Sequence, residues 1–416
     1  MASRKSVSEE SRFLDYIAHL APSLGRKGRE VMLRDYCAGL IGPGERKSME
    51  PIAARASVES GVDVQAMHQR IHHFVSNSQW DGQALIQSAL EYARPAFQRH
   101  GGVSALIVDD TGFPKKGTES VGVSRQYCGR LGKQDNCQVA VSLHMASAEF
   151  AMPVSWRLFV PESWAKDKVR MKRAGIPHQF ARHQSKPMIA LDLVTKALAD
   201  GSAHKAPVLA DAGYGHSSEF RDGLDDLGLS YAVAVQGSTT VRIGEDATSI
   251  AVENICAASP GLVKPRKILF RDGAKGAMSG RFAALRVTVA HKGNKPRPSQ
   301  WLLLEWEGKD KQPSKFHLSN LPEDSTLQKL ASLVHLRFRI EQDYGHLKDD
   351  LGLDHFEGRS WNGFHHHLAL CSAAYAYLIA RRGRFSPSAI DAGAGLEKPA
   401  LPRDYLPRGT PTTRKV

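Results

Sequence analysis

A chain of 416 residues, 42% hydrophobic and 24% charged, has the balance of a soluble protein of two or three domains with a sizeable core. Fifty-six Lys and Arg against 43 Asp and Glu leave a formal charge of +13, which favours an anionic partner such as nucleic acid, anionic lipid or polyphosphate over a neutral one; a basic enzyme with no such partner is the bland alternative. The five scattered cysteines contain no C-x-x-C pair, which argues against a disulfide framework or a cysteine zinc site and for a reducing, cytoplasmic setting.

The N-terminus alternates charge with apolar residues and lacks the apolar segment of a signal peptide. In "SRFLDYIAHLAP", "REVMLRDYCAGLIG", "DVQAMHQRIHHFVSNSQW" and "GQALIQSALEYARPAFQRH", apolar residues recur every three or four positions, which predicts a helical bundle over residues 1–100. From residue 104 the period changes, and "SALIVDDTG", "CQVAVSLHMA" (137–146) and "AMPVSWRLF" (151–159) predict three strands of an antiparallel meander. A helix over 186–201, a buried strand over 206–215, a helix over 217–228 and a strand over 229–235 follow. Residues 101–236 therefore form the first part of an α/β core. In residues 237–322, "KILFRDG", "GRFAALRVTVAH", "SQWLLLEWEG" and "KFHLSN" predict a β-rich insertion. Ser325 and Gln328 suggest a capping box opening the helices of 323–382, and there "LALCSAAYAYLIA" (368–380) is too short for a membrane span and reads as a buried helix. The Pro- and Gly-rich stretch 383–416 reads as a flexible tail.

Two apolar runs end in acids: "ALIV" in Asp109 and Asp110, "PVLA" in Asp211. Ligands of open α/β sheets gather at the carboxyl ends of strands, although an Asp there also simply caps the next turn. On a helix at roughly 100° per residue, Arg337, Tyr344 and Lys348 lie within about 60° of Glu341, while Asp343 and Asp350 point roughly the opposite way and read as its solvated side. Glu341 and Arg337 alone make a weak i,i+4 ion pair. Together, Asp109, Asp211 and Glu341 give three carboxylates without a balancing set of His or Cys, a donor set that suits Mg²⁺ or Mn²⁺. Paired ions of this kind activate a water or a 3′-hydroxyl for attack on a phosphodiester, and the cations near Glu341 would hold the phosphate backbone.

These residues resemble a bacterial DDE transposase of the insertion sequence 701 family, within the insertion sequence 4 superfamily. The resemblance rests on "VDDTGFPKKG" with "RQYCGRLGKQDNCQVAVSLH" (108–144), on "VLADAGYG" (208–215), and on the Y-x2-R-x3-E-x6-K signature at Val334, Arg337, Glu341 and Lys348, followed by "LGLDHFEGRSWNGFHHH". It covers about residues 30–380, and the last motif is the most specific. Val334 replaces the signature tyrosine, which removes one DNA contact of the relatives and leaves the acids in place.

The resemblance implies an α/β fold: an RNase H-like catalytic core interrupted by the β-rich insertion and preceded by a helical domain that binds terminal inverted repeats. It implies Asp109, in preference to Asp110, with Asp211 and Glu341 as catalytic acids and ligands of two Mg²⁺ (or Mn²⁺) ions, and Arg337, Tyr344 and Lys348 as DNA contacts. Trp301 and Trp306 are candidates for holding a flipped base, although a strand Trp more often packs. The implied function is a transposase that binds the inverted repeats, cleaves the transposon ends and joins the 3′-hydroxyl to target DNA, working as a homodimer on DNA in the bacterial cytoplasm, at the nucleoid. The rivals are a catalytically silent, domesticated transposase acting as a DNA-binding regulator and a two-metal nuclease without strand transfer.

Lys115, Lys116, Arg125, Arg130 and Lys133 crowd the loop after the first strand, where phosphate neutralisation would help. Gln69, Arg70, His73 and Asn77 lie on a helix that could enter a DNA groove. Two signals are decoys. "GPGERKS" (42–48) has Arg46 where a phosphate loop requires glycine and has no preceding strand. His365, His366 and His367 are consecutive, so their side chains fan around a helix instead of converging on one ion.

Overall fold

The computed structural model describes residues 8–244, 248–259, 261–273, 276–290 and 298–384. The N-terminal part is helical: α1 (Glu9–Leu20), α2 (Arg29–Ile41), α3 (Met49–Ser60), α4 (Val64–His72) and α5 (Gly82–Arg99). Ser8, Asp63 and Asp81 open α1, α4 and α5 by accepting first-turn backbone N–H groups on their side chains. The periodicity did not reveal α3, whose Ala- and Ser-rich "MEPIAARASVES" carries few large apolar residues. Its signals were Ser48 at the N-cap, Pro51 where a missing N–H is harmless, and Gly61, left-handed at φ 69°, at the C-terminus.

The strands begin with β1 (Ala105–Pro114), β2 (Ser124–Cys128), β3 (Lys133–Ala146) and β4 (Ala151–Leu158). β3 pairs antiparallel with β1 along one edge; on the other, β2 takes its first residues and β4 its last. The expected meander is therefore present with one additional strand, β2. After α6 (Glu162–Ala165), α7 (Lys168–Ala174) and α8 (Lys186–Ala199) come β5 (Val208–Ala210), α9 (Ala212–Gly215), α10 (Ser218–Asp226) and β6 (Tyr231–Val235). β1, β5 and β6 are parallel neighbours, as the alternation of strands and helices predicts. The strand expected over 206–215 stops at Ala210, because Asp211 caps α9 and turns "AGYG" into helix.

β7 (Thr240–Arg242), β8 (Ile250–Ala251), α11 (Ile255–Ala258), β9 (Arg266–Gly273), β10 (Gly276–Val289), β11 (Gln300–Trp306) and β12 (Lys315–Ser319) form the β-rich block. β12 pairs with β6, so this block extends the core sheet instead of standing apart; among the described residues the sheet holds twelve strands. The chain ends in α12 (Leu327–Leu336), α13 (Phe338–Gly345), a π turn over His346–Asp350, and α14 (Trp361–Arg382). α12 is capped by Thr326, whose side chain accepts from Lys329 N at 3.1 Å. The capping box read at Ser325 and Gln328 is thus displaced by one residue, and the Gln328 amide instead donates to the Leu269 carbonyl. The tail expected over 383–416 lies, from residue 385, outside the described residues.

α14 is buried along most of its length and ties the helical segment to the sheet. Tyr16 of α1 donates to Ala373 O at 2.6 Å, Tyr36 of α2 meets His367 Nδ1 at 2.9 Å, and the His366 ring sits between the Val75 and Trp80 carbonyls, 2.8 Å from each. Among the described residues no helix is long and apolar enough to cross a membrane. Gly215, at the end of α9, packs directly on β6: an added Cβ would lie 2.0 Å from the Ala234 carbonyl oxygen. Gly215→Ala is expected to cost about 1–3 kcal/mol of stability, as overpacking does, read as a lower denaturant midpoint at unchanged slope.

Candidate active site

Strand alternation separates the two neighbouring acids of β1. Ala105 and Ile107 belong to the core formed with Leu330, Ala331, Val334 and Ile340 of α12 and α13, whereas Leu106 and Val108 belong to the larger core that includes α8. Asp109 consequently emerges on the α13 side and Asp110 on the α8 side. Asp110 is consumed there: Lys186 Nζ lies 3.1 and 3.2 Å from its two oxygens, and the Tyr214 hydroxyl donates to Oδ2 at 3.0 Å. Asp109 faces Arg337, whose Nη1 donates to Oδ2 at 3.1 Å.

Arg337 stands where α12 gives way to α13, and its second terminal nitrogen, Nη2, lies 3.4 Å from Glu341 Oε1. One guanidinium therefore spans two of the three carboxylates singled out in the sequence. The third is Asp211. β1 and β5 pair in parallel with Ile107 beside Leu209, and Asp211, just past the end of β5, is near enough to Asp109 for its charge to act on it. Asp211 is held as the N-cap of α9, with Oδ1 accepting from Gly213 N at 2.9 Å and Tyr214 N at 3.4 Å.

The electrostatics of this corner are unfavourable to charge. Burial, opposed by Arg337 and reinforced by Asp211 and Asp110, leaves the Asp109 carboxyl pushed up to about 7. Glu341 is more open, with 53% of its side chain exposed. Among the described residues no three His, Cys, Asp or Glu side chains stand close enough together to hold a metal ion, and the Arg337 guanidinium lies between Asp109 and Glu341; the carboxylate oxygens are, by chemical type, hard donors of the kind that suits Mg²⁺ or Mn²⁺.

The other residues singled out in the sequence are placed unevenly. Lys348 does not join the Arg337–Glu341 face. It falls in the π turn, which rotates it off the α-helical register, and its Nζ donates to Gly112 O at 3.1 Å between the rings of Phe113 and Tyr344. Tyr344 directs its hydroxyl to Ser142 Oγ at 2.7 Å. Asp343 is not on a solvated side: it is 3% exposed and bonded to His144 and Tyr375, because α13 is enclosed by β3 on one flank and α14 on the other. Asp350 is half-buried and pairs with His346. Val334, at the tyrosine position of the signature, is buried.

The basic residues expected on one loop are not all there, since Arg125 lies in β2 and Lys133 opens β3; Lys115 donates to the Phe356 carbonyl, Arg130 pairs with Asp354 at 2.5 Å, and Lys116, Arg125 and Lys133 are exposed, Lys133 lying 3.4 Å from Asp135. Trp301 donates its indole N–H to Pro322 O at 3.0 Å beneath the Arg286 guanidinium, and Trp306 is buried with its N–H toward Lys311 O. α3 and α4 are joined through the Gly61 turn; Gln69 and Arg70 are exposed on α4, and His73 and Asn77 are exposed on the π turn (His73–Asn77) that follows it. His365, His366 and His367 each bond a different backbone carbonyl, those of Trp361, of Val75 and Trp80, and of Gly352.

Sequence reasoning did not find Lys186, Tyr214, Ser142, His144 or Tyr375. Ser142 and His144 did leave a signal, two polar residues at alternate positions of the otherwise apolar strand "VAVSLHMA".

A family model described as DDE superfamily endonuclease matches residues 19–251, and a second, described as transposase DDE domain, matches residues 181–377. The chain belongs to the DDE superfamily endonuclease family. It is also 34% identical over 208 residues to the "Probable transposase for insertion sequence element IS701" of Microchaete diplosiphon, an alignment covering 49% of this chain and 48% of that protein. The chain thus spans about half the length of this curated relative. The two matched segments of this DDE family member together contain Asp109, Asp211 and Glu341.

The elevated Asp109 pKa has a sign that can be checked. With the folded-state value near 7 and the ordinary value at 3.8, the folded state holds a proton the unfolded chain has released. That contribution is present below pH 3.8 and lost as pH rises through about 7. In chelator, Asp109→Asn is therefore expected to be more stable than the parent above pH 7, with the advantage vanishing toward pH 4, as read by denaturant melts across that range.

Proposed function

We propose that this protein is a transposase that binds the terminal inverted repeats of its element, cleaves the element ends and joins the freed 3′-hydroxyl to target DNA. The observation that carries this reading is the meeting of Asp109, from β1, with Glu341, from α13, on the single guanidinium of Arg337, beside Asp211 at the end of β5. The parallel β1–β5–β6 core with antiparallel β3 supports an RNase H-like catalytic unit, interrupted by the strands from β7 to β12. That unit, the insertion and the helical N-terminal segment have the order that the sequence resemblance implies.

In this reading Asp109, Asp211 and Glu341 hold two divalent ions. When bound, Mg²⁺ or Mn²⁺ supplies Lewis acidity at the attacking and leaving oxygens of an in-line displacement. The chain's own residues prepare that chemistry. The backbone N–H groups of Gly213 and Tyr214 orient the Asp211 carboxylate, and Lys186 with Tyr214 keeps Asp110 out of the cleft. Arg337 neutralises Asp109 and Glu341 and is placed to turn to a phosphate oxygen once those acids are otherwise engaged. The exposed Lys116, Arg125 and Lys133, and the side of α4 and its following π turn that bears Gln69, Arg70, His73 and Asn77, supply backbone and groove contacts. DNA occupies two such proteins when two ends are paired, which makes a homodimer the working unit.

Labelled duplex carrying the ends of the element, with and without Mg²⁺, separates the steps. Asp109→Asn, Asp211→Asn and Glu341→Gln are each expected to lose cleavage by a factor of about 10³ or more while retaining end binding. Wild-type cleavage by Glu341→Gln overturns the site; cleavage without joining favours a nuclease that lacks strand transfer. Arg70→Ala is expected to weaken end binding with cleavage of already bound DNA preserved, and affinity is expected to fall steeply as salt rises from about 50 to 200 mM.

A further inference from the structure

We infer that Asp343 and Tyr344 are positioning residues that fix Glu341 relative to Asp109, through two polar anchors on β3. The inference rests on the proposed reading of Asp109 and Glu341 as metal-holding acids. α13 has eight residues and gives way at once to the π turn, so little within the helix itself fixes the position of Glu341. Two residues beyond Glu341, and so on the opposite side of the helix, Asp343 is buried. Its Oδ2 lies 3.0 Å from His144 Nδ1 on β3, and its Oδ1 accepts from the Tyr375 hydroxyl on α14 at 2.8 Å. The next residue, Tyr344, meets Ser142 Oγ, also on β3, at 2.7 Å.

These anchors are not spread at random over the core. Ser142 and His144 alternate on one face of β3, and the β1–β3 ladder sets Ser142 directly opposite Asp109 and His144 opposite Ile107. The helix that carries one acid is thereby bonded to the strand residue paired with the other. The rings of Trp156, His144 and Tyr344 pack edge-on or tilted around the two bonds, and His144 is fully buried, so solvent does not substitute for a lost partner. A buried carboxylate requires its donors, which makes the Asp343 site a fixed point from which Glu341 is projected into the cleft.

The test uses the full chain, end DNA and a Mg²⁺ titration, with DNA affinity and melting temperature measured alongside. Asp343→Asn keeps the side-chain shape and removes the charge. The Mg²⁺ concentration for half-maximal cleavage is expected to rise about 10- to 100-fold, as on loss of an outer partner of a metal ligand, with end affinity changed by less than about twofold. Ser142→Ala, which leaves no buried charge, is expected to shift the midpoint the same way by a smaller factor and keeps the inference testable should Asp343→Asn fail to fold. A purely structural role lowers the melting temperature without moving the metal midpoint, and an unmoved midpoint in the folded variants overturns the inference. With Glu341→Gln inactive, that result removes only the positioning role; full activity in Glu341→Gln removes the active-site reading beneath it.

Discussion

Asp110 and Asp211 both oppose a charge on Asp109 at this corner of the sheet, and the surrounding hydrogen bonds and ion pairs answer that cost. Burial already favours the protonated form of Asp109, and Asp211 and Asp110 add to the effect. The fold answers by distributing charge: Lys186 and Tyr214 take Asp110 to the far face of β1, the α9 N-terminus takes one oxygen of Asp211, and Arg337 divides its guanidinium between Asp109 and Glu341. What remains are hard oxygen donors held apart by the Arg337 guanidinium, and in the proposed function divalent cations take that guanidinium's place among them.

Much of this was legible in the sequence because it depends on local rules. The apolar run ending in "DA" marked the end of β5, whereas "DD" lies inside β1, which stays paired with β3 as far as Pro114; four-residue spacing joined Arg337 to Glu341, an ion pair the structure contains. The choice between Asp109 and Asp110 was less secure, since alternation shows that they face opposite sides without saying which side carries the final helices. That is fixed by the packing of Ile107 against Ile340 and its neighbours, a long-range fact. The single-strand reading of 206–215 failed for a local reason, the competition of an Asp N-cap with strand continuation at Asp211.

The helical wheel around Glu341 shows both the use and the limit of periodicity. It correctly grouped Arg337 with Glu341 and set Asp343 opposite. It could not tell which side faced protein, so Asp343 was assigned to solvent when β3 and α14 enclose it. It also assumed uninterrupted α-helix, and the π turn over His346–Asp350 carries Lys348 to the Gly112 carbonyl, away from the Arg337–Glu341 pair. A polar pair at alternate positions of β3, Ser142 and His144, was the available hint that this side of α13 is an interior one.

The claim that Asp109, Asp211 and Glu341 form one metal centre is tested most directly by crystals of the protein with end DNA and Mn²⁺, with anomalous scattering used to locate the ions. The account predicts manganese peaks within coordination distance of the Asp109, Asp211 and Glu341 oxygens, with Arg337 drawn off Asp109 toward a phosphate. Manganese bound elsewhere, with the Arg337 guanidinium still bridging Asp109 and Glu341 in the DNA complex, would contradict it.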